Sequence, residues 1–336
     1  MKRFTIITFL AVLFAVFLNG CGDSKDTKNA AGKNIEKIRV GVDTAAGGSF
    51  QIRAAAAEGY FKEQGLEPQL SNFAYGIDTI NALLTETTDT GLAADYALLN
   101  SLNRGDLVVL SSLTHSSEQT IKQSEILAAK GISKPKQLKG KHIGVAKGTV
   151  SEYQWAKYLE HLGLKEKDVR FVPYSTPDEA LVGVRKGNID AILANGALLE
   201  KFKAIDGVHK IDDLSSIDVP ISSYLVANRK FVEANPKAVE SLLKAIHEGI
   251  AFVQKNPDGT AELAYQELKI RKEDALRDIK RSNYTLDFKQ EDFDHLSKMQ
   301  QWLIDNGKLK KPYDLKEKLY LEPLKKAFPE NVTYDK

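Results

Sequence analysis

Three observations predict an α/β fold of parallel sheets with crossover helices, arranged as two lobes around a cleft. Short apolar strands alternate with amphipathic helical stretches through the first two thirds of the chain. Two similar strand–helix segments occur, 37–110 and 141–193, each too short to be a large domain alone. The last third reads as almost wholly helical from Lys230 to about Lys308, and must pack back on one or both lobes.

Before the first element lies a leader. Lys2 and Arg3 give a positive start, and Phe4 to Leu18 is an apolar run broken only by Thr5 and Thr8. This run is shorter than the roughly twenty residues a spanning helix needs. The ending Leu18-Asn19-Gly20-Cys21 resembles the bacterial lipobox, with Asn19 in a slot that usually holds a smaller residue. The expectation is a signal peptide over 1–20 and lipidation at Cys21. The mature protein would then be anchored to the cell membrane by palmitate-like acyl chains, facing the periplasm or the cell exterior. Residues 21–34 are small and polar and read as a flexible tether.

Order begins near Ile35. Strands are predicted at 37–42, 67–72, 91–94, 107–110, 124–129, 142–146, 169–172 and 191–194. Helices are predicted at 50–64, 77–86, 151–162, 177–186 and 237–255. Several helix starts are marked. Thr176-Pro177-Asp178-Glu179 combines a capping threonine, a first-turn proline and an acidic residue three after the cap. Thr149-x-x-Glu152 reads as a capping box, and Asn235-Pro236 precedes the long helix.

Composition narrows the function. The chain has 47 basic and 45 acidic side chains, and loss of Lys2 and Arg3 leaves an even balance. Such a surface gives no electrostatic case for nucleic acid binding. Cys21 is the single cysteine, so a disulfide within one chain, a thiolate metal site and a cysteine nucleophile are all excluded. The six histidines, at 115, 142, 161, 209, 247 and 295, are scattered, and a zinc site would have to assemble from distant segments. Gly-x-Ser-x-Gly and Walker A patterns are absent. Neither catalytic residues, nor a metal, nor a cofactor is expected.

Parallel sheets bind ligands at the carboxyl ends of their strands, where helix N-termini also point. Four such junctions carry small or hydroxyl residues: Thr44-Ala-Ala-Gly-Gly-Ser49, Ala74-Tyr-Gly76, Lys147-Gly-Thr-Val-Ser151 and Ala194-Asn-Gly-Ala197. Glycine admits close backbone approach, and unpaired N–H groups attract anions. The candidate ligand contacts are Thr44, Gly47, Gly48, Ser49, Tyr75, Gly76, Asp95, Tyr96, Gly148, Thr149, Ser151 and Asn195. Tyr75, Tyr96 and Tyr153 could line a pocket for an organic tail. Trp155 reads as core, and Asp95 as a ligand contact or, more simply, a cap. His115 reads as a surface or hinge residue near the crossing between lobes.

Ordered blocks along nearly the whole mature chain resemble the nitrate/sulfonate/taurine class of solute-binding proteins of ABC importers, which includes thiamine-precursor binders. They are Ala54-Ala-Ala-Ala-Glu-Gly-Tyr-Phe-Lys-Glu-Gln-Gly-Leu66, Ala82-Leu-Leu-Thr-x-x-Thr-Asp-Thr-Gly-Leu92 and Leu138-Lys-Gly-Lys-His-Ile-Gly-Val-Ala-Lys-Gly-Thr149. Then follow Glu179-Ala-Leu-x-x-Val-Arg-Lys-Gly-Asn-Ile-Asp-Ala191, Tyr224-Leu-Val-Ala-Asn-Arg-Lys-Phe-x-x-x-Asn-Pro236 and Asn256-Pro-Asp258.

The resemblance implies a type II periplasmic-binding-protein fold, each lobe a sheet flanked by helices, with two crossover strands between them. Lobe one would be 35–113 plus 223–336, and lobe two 114–222. It implies hinge closure on a small solute, sulfonate- or carboxylate-like, and delivery to an ABC permease and its ATPase by a monomer. Alternatives are a thiamine-pyrimidine-precursor binder, a sensing lobe for a membrane receptor, or an enzyme like those of the wider fold group that make a thiamine pyrimidine. After Ala194 the chain reads Asn195-Gly196-Ala197-Leu198 where many members carry an aromatic or acidic residue and a Pro-Tyr-like pair. The ligand therefore does not carry over.

Overall fold

The computed structural model describes residues 36–44, 49–117, 121–122 and 124–335. The expected leader, Cys21 and the tether lie outside these residues, as do Gly47 and Gly48. No helix among the described residues is long and apolar enough to cross a membrane.

The fold is α/β with two sheets flanked by helices. The first six-stranded sheet is made of β1 (Glu36–Asp43), β2 (Leu66–Phe73), β3 (Thr90–Ala94), β4 (Leu107–His115), β10 (Ser222–Asn228) and β11 (Asn283–Asp287), in the order β11-β4-β10-β3-β1-β2. The second, five-stranded sheet is made of β5 (Glu125–Ala128), β6 (His142–Ala146), β7 (Arg170–Tyr174), β8 (Ala191–Ala194) and β9 (His209–Asp213), in the order β7-β6-β8-β5-β9. β1 pairs in parallel with both β2 and β3, and β6 does so with both β7 and β8.

The expectation of purely parallel sheets is corrected. β10 runs antiparallel between β3 and β4, and β5 antiparallel between β8 and β9. β4, which runs in the same direction as β3, carries the chain out of the first sheet, and β10 brings it back; β5, on entering the second sheet, and β10, on returning to the first, run against the parallel set. β9, β10 and β11 were absent from the strand pattern read from sequence. β11 also interrupts the region predicted as wholly helical, where it adds antiparallel beside β4.

Burial follows the residue pattern. Ile38, Val40 and Val42 of β1 are all buried. The Pro236–Lys255 helix buries Val239, Leu242, Leu243, Ile246, Ile250 and Val253, a 3–4 spacing that makes one continuous apolar face. Each such side chain contributes about 1.5–3 kcal/mol when taken from water. That face packs on the Phe50–Ala57 helix so closely that a Cβ on Gly249 would stand 2.0 Å from the carbonyl oxygen of Gln51. The predicted 50–64 helix is in fact two helices, Phe50–Ala57 and Tyr60–Glu63, separated at Glu58-Gly59.

The last third packs on both halves. The Lys272–Arg281 helix lies on the Gly196–Lys203 helix beside the second sheet. The Gln290–Asp305 helix touches the Asp95–Leu99 helix of the first half, and its Trp302 meets Tyr153 edge-to-face at 4.9 Å. Trp155 is core, as expected: it is wholly buried and its Nε1 donates to the Gly144 carbonyl at 3.1 Å.

Candidate functional site

The carboxyl ends of all six parallel strands open on one cleft between the sheets. Asp43 ends β1, Tyr75 and Gly76 follow β2, Ala94 ends β3, Ala146 ends β6, Tyr174 ends β7, and Ala194-Asn195 closes β8. This is where parallel α/β topology places ligands, because helices start there and leave N–H groups facing the opening.

The cleft has two adjoining chambers. The first encloses about 850 Å³ of empty space, part of it open to solvent. Its walls are mostly apolar, from Ile77, Ala97, Pro177, Leu193, Leu198 and Phe202, with the phenols of Tyr75 and Tyr174 set among them. Burial pushes both phenols far above the ordinary tyrosine value, so they remain neutral hydrogen-bonding groups. The second chamber has more polar side chains in its walls, among them Thr114, His115, Ser116, Ser223, Asp278 and Arg281. Asp43, Ala94, Val150, Gln154 and Asn195 border both.

Helix starts shape the walls. Gly76 opens its helix where a Cβ would lie 2.8 Å from the Cα of Ala93, so only glycine allows this helix to sit so close to β3. Thr149 caps the Val150–His161 helix: its Oγ1 accepts from the Ser151 N–H at 3.2 Å and donates to the Ala146 carbonyl at 2.7 Å. The reciprocal half of the predicted Thr149-x-x-Glu152 box is not made. The Glu152 carboxylate instead accepts the Tyr96 hydroxyl at 2.6 Å, since a charge-assisted bond to a buried phenol competes well with a cap.

The predicted site residues divide. Tyr75, Gly76, Thr149, Ser151 and Asn195 come together on the first chamber. The Ser151 hydroxyl is buried there without a hydrogen-bond partner among the described residues. Other side chains are engaged in the framework. Thr44 Oγ1 donates to the Phe73 carbonyl at 3.1 Å. Ser49 Oγ donates to the Asp43 carbonyl at 2.9 Å and accepts from Arg53. Asp95 is fully buried, where it accepts from the Ser222 N–H at 3.0 Å and pairs with His295 at 2.7 Å. Tyr96 and Gly148 face a separate surface hollow with Lys147 and Lys308.

The helix start at Asn195-Gly196-Ala197 is already occupied by the chain's own charge. Asp278, from the Lys272–Arg281 helix, accepts from the Ala197 N–H and pairs with Arg281. Burial raises the pKa of Asp278, although Arg281 opposes the shift. A carboxylate here satisfies the helix N-terminus as a ligand anion would.

Residues 49–260 match the family described as NMT1/THI5 like. This chain belongs to the NMT1/THI5-like family. Members similar to it differ in what they are named for. A Brucella abortus protein named as a binding protein is 24% identical over 83% of this chain and 89% of its own length. A Bacillus subtilis protein named as aliphatic sulfonates-binding is 24% identical over 79% of this chain and 78% of its own. A Saccharomyces cerevisiae enzyme, 4-amino-5-hydroxymethyl-2-methylpyrimidine phosphate synthase THI5, is 27% identical over 61% and 63%.

Among solved structures, the alkanesulfonate-binding protein SsuA from Xanthomonas axonopodis pv. citri, bound to MOPS, superposes with a TM-score of 0.73 at 14% identity. The match covers 85% of this chain and 98% of that one. A Methylobacillus flagellatus KT structure, named as the periplasmic sulfonate-binding protein SsuA of a sulfonate ABC transporter, gives 0.65 at 16% identity over 89% and 95%. At these identities the likeness establishes the fold, that of periplasmic binding proteins.

In this NMT1/THI5-like chain the cleft also uses residues that the sequence reading passed over. Tyr174 stands at a strand end followed by the Thr176-Pro177 cap, the same signal that found Tyr75. Pro173 ended the predicted strand too early. Gln154 lies three residues after Ser151, on the same helix face. Asp43 is one residue beyond the predicted end of β1. Arg281 comes from far along the chain and no local pattern marks it.

Proposed function

We propose that this protein is the extracytoplasmic solute-binding component of an ABC importer, capturing a small organic solute in the cleft between its two sheets. The carrying observation is the convergence of six strand ends from two sheets on an apolar chamber that adjoins one carrying hydroxyl and charged side chains. The binding-protein relatives and the shared fold support the same reading. The absence of catalytic patterns in the sequence favours binding over chemistry.

The proposed lobes are 35–113 plus 223–336 and 114–222, hinged where β4 leaves the first sheet and β10 rejoins it. Closure brings donors from both lobes onto one ligand and removes water, so the solute binds the closed arrangement better than the open one. The proposed solute has an apolar body among Tyr75, Tyr174 and Phe202, and a sulfonate or carboxylate head held by neutral donors such as Ser151 and Gln154. A thiamine-pyrimidine precursor is the second reading. It is favoured by Asp43, an acidic residue that borders both chambers, since a carboxylate suits an exocyclic amine. The lipid on Cys21 would hold the protein, as a monomer, near its permease and ATPase.

The test is a thermal-shift panel of alkanesulfonates, carboxylates, nitrate and aminopyrimidines on residues 22–336. A ligand of the native state raises the melting point by mass action, by about 2.7 kcal/mol of stability at a hundredfold excess over Kd. A shift from sulfonates or carboxylates supports the first reading, and one from aminopyrimidines alone the second. A panel that shifts nothing contradicts both.

A further inference from the structure

We propose that His115, Asp287 and Asp292 form a binding site for a divalent transition-metal ion, with Zn²⁺ the best match, where β4 leaves the first sheet. The three residues come from three elements: the last residue of β4, the last residue of β11 and the first turn of the Gln290–Asp305 helix. One donor atom from each lies within 4.8 Å of the other two. Donors bound to one zinc ion at about 2.0–2.2 Å stand roughly 3–4 Å apart, so an ion would draw the three donors slightly closer together.

The donor chemistry is suited to the task. His115 Nε2 faces Asp287 Oδ1 at 3.4 Å, while Nδ1 lies 3.1 Å from the Ser222 hydroxyl and 3.7 Å from Asp292 Oδ1. With Nδ1–H donating to Ser222, the Nε2 lone pair is presented to Asp287, and a hydrogen bond on the other ring nitrogen is the arrangement that orients metal-bound imidazoles. One nitrogen and two carboxylate oxygens favour Zn²⁺ or a neighbouring first-row ion over Mg²⁺ or Ca²⁺.

A second observation points to an occupant. Asp292 is 3% exposed, and its Oδ1 has no hydrogen-bond partner among the described residues. Tyr224 lies close to these acids: burial first, then the charges of Asp292, Asp95 and Asp287, raise its pKa. Two buried carboxylates share the pocket, and Asp287 already uses Lys289, whose Nζ is 3.0 Å from Oδ2. Asp95 is separately engaged by His295, whose Nε2 lies 2.7 Å from Oδ2. The orphaned oxygen of Asp292 is the group a cation would satisfy. His115 also lines the second chamber.

The experiment is a calorimetric titration of Zn²⁺ alone into chelator-treated, dialysed residues 22–336, with the variants His115→Gln, Asp292→Asn, Ser222→Ala and, as a control, His142→Gln. His142 pairs with Asp190 on the far strand β6 and has no part in the cluster. The expected result is one ion per wild-type chain. His115→Gln and Asp292→Asn should raise Kd roughly tenfold or more, Ser222→Ala should raise it less, and His142→Gln should leave it unchanged. Asp292→Asn keeps the side-chain size and a helix-capping oxygen, so it reports on affinity even if His115→Gln unfolds. No binding by the wild type, or equal Kd in wild type and Asp292→Asn, overturns the proposal.

Discussion

The Tyr96 hydroxyl donates to the Glu152 carboxylate at 2.6 Å, joining a helix of the first sheet to a helix of the second. Burial, reinforced by Glu152, keeps the phenol protonated and able to donate. A hydrogen bond to a charged partner is worth about 1.5–3 kcal/mol. If it holds the arrangement that binds solute, Tyr96→Phe should weaken the best solute of the panel by about tenfold. Calorimetry would measure this, and unchanged affinity would mean that the bond is passive.

The aromatic walls of the first chamber give a sharper expectation. Tyr75 and Tyr174 are half-buried on the cleft and carry little of the core. Tyr75→Ala or Tyr174→Ala should cost at least about tenfold in affinity while shifting the melting point only slightly. A large loss of stability with unchanged affinity would place these rings in the framework instead.

Gly249 tests the fold rather than the site. Alanine there would drive its Cβ to 2.0 Å from the Gln51 carbonyl, which is backbone and cannot rotate away. The helices must part, at a cost of about 1–3 kcal/mol or more. Thermal unfolding should show Gly249→Ala melting several degrees lower, and an unchanged melting point would contradict the packing described.

Arg53 is 2% exposed and ties four segments together through Ser49, the Asp43 carbonyl, Asn72 at 2.6 Å and Glu267 at 3.0 Å. Removing it strands these acceptors, so Arg53→Met should lose about 3–5 kcal/mol in denaturant unfolding. Arg53→Lys should rescue little, because a point charge cannot replace the fork of donors. Full stability in the lysine variant would contradict this reading.

Much of this was legible in the sequence where local rules decide. Apolar runs such as Ile38–Val42 and the Thr176-Pro177 start became the elements they suggested, and Tyr75, Gly76, Thr149, Ser151 and Asn195 meet on one cleft. The misses have tertiary causes. Glu152 had a capping signature, yet a phenol 56 residues away holds its carboxylate. Asp95 sat at a strand end facing the expected cleft, yet His295 and the Ser222 N–H turn it inward. Asp278 fills the helix start at Gly196 from a segment that no local pattern connects to it. β11 is a short edge strand whose pairing with β4 crosses more than 160 residues, which hydrophobic periodicity cannot register.

The central claim is that solute is held in the cleft at the strand ends. Ala94 borders both chambers, so Ala94→Phe fills the cleft from its floor. The most direct measurement is a calorimetric titration of the panel's best solute into wild type and Ala94→Phe, with melting points recorded for both. The account predicts that binding falls below detection in a variant that still folds. Equal affinity in the two proteins would place the solute elsewhere and contradict it.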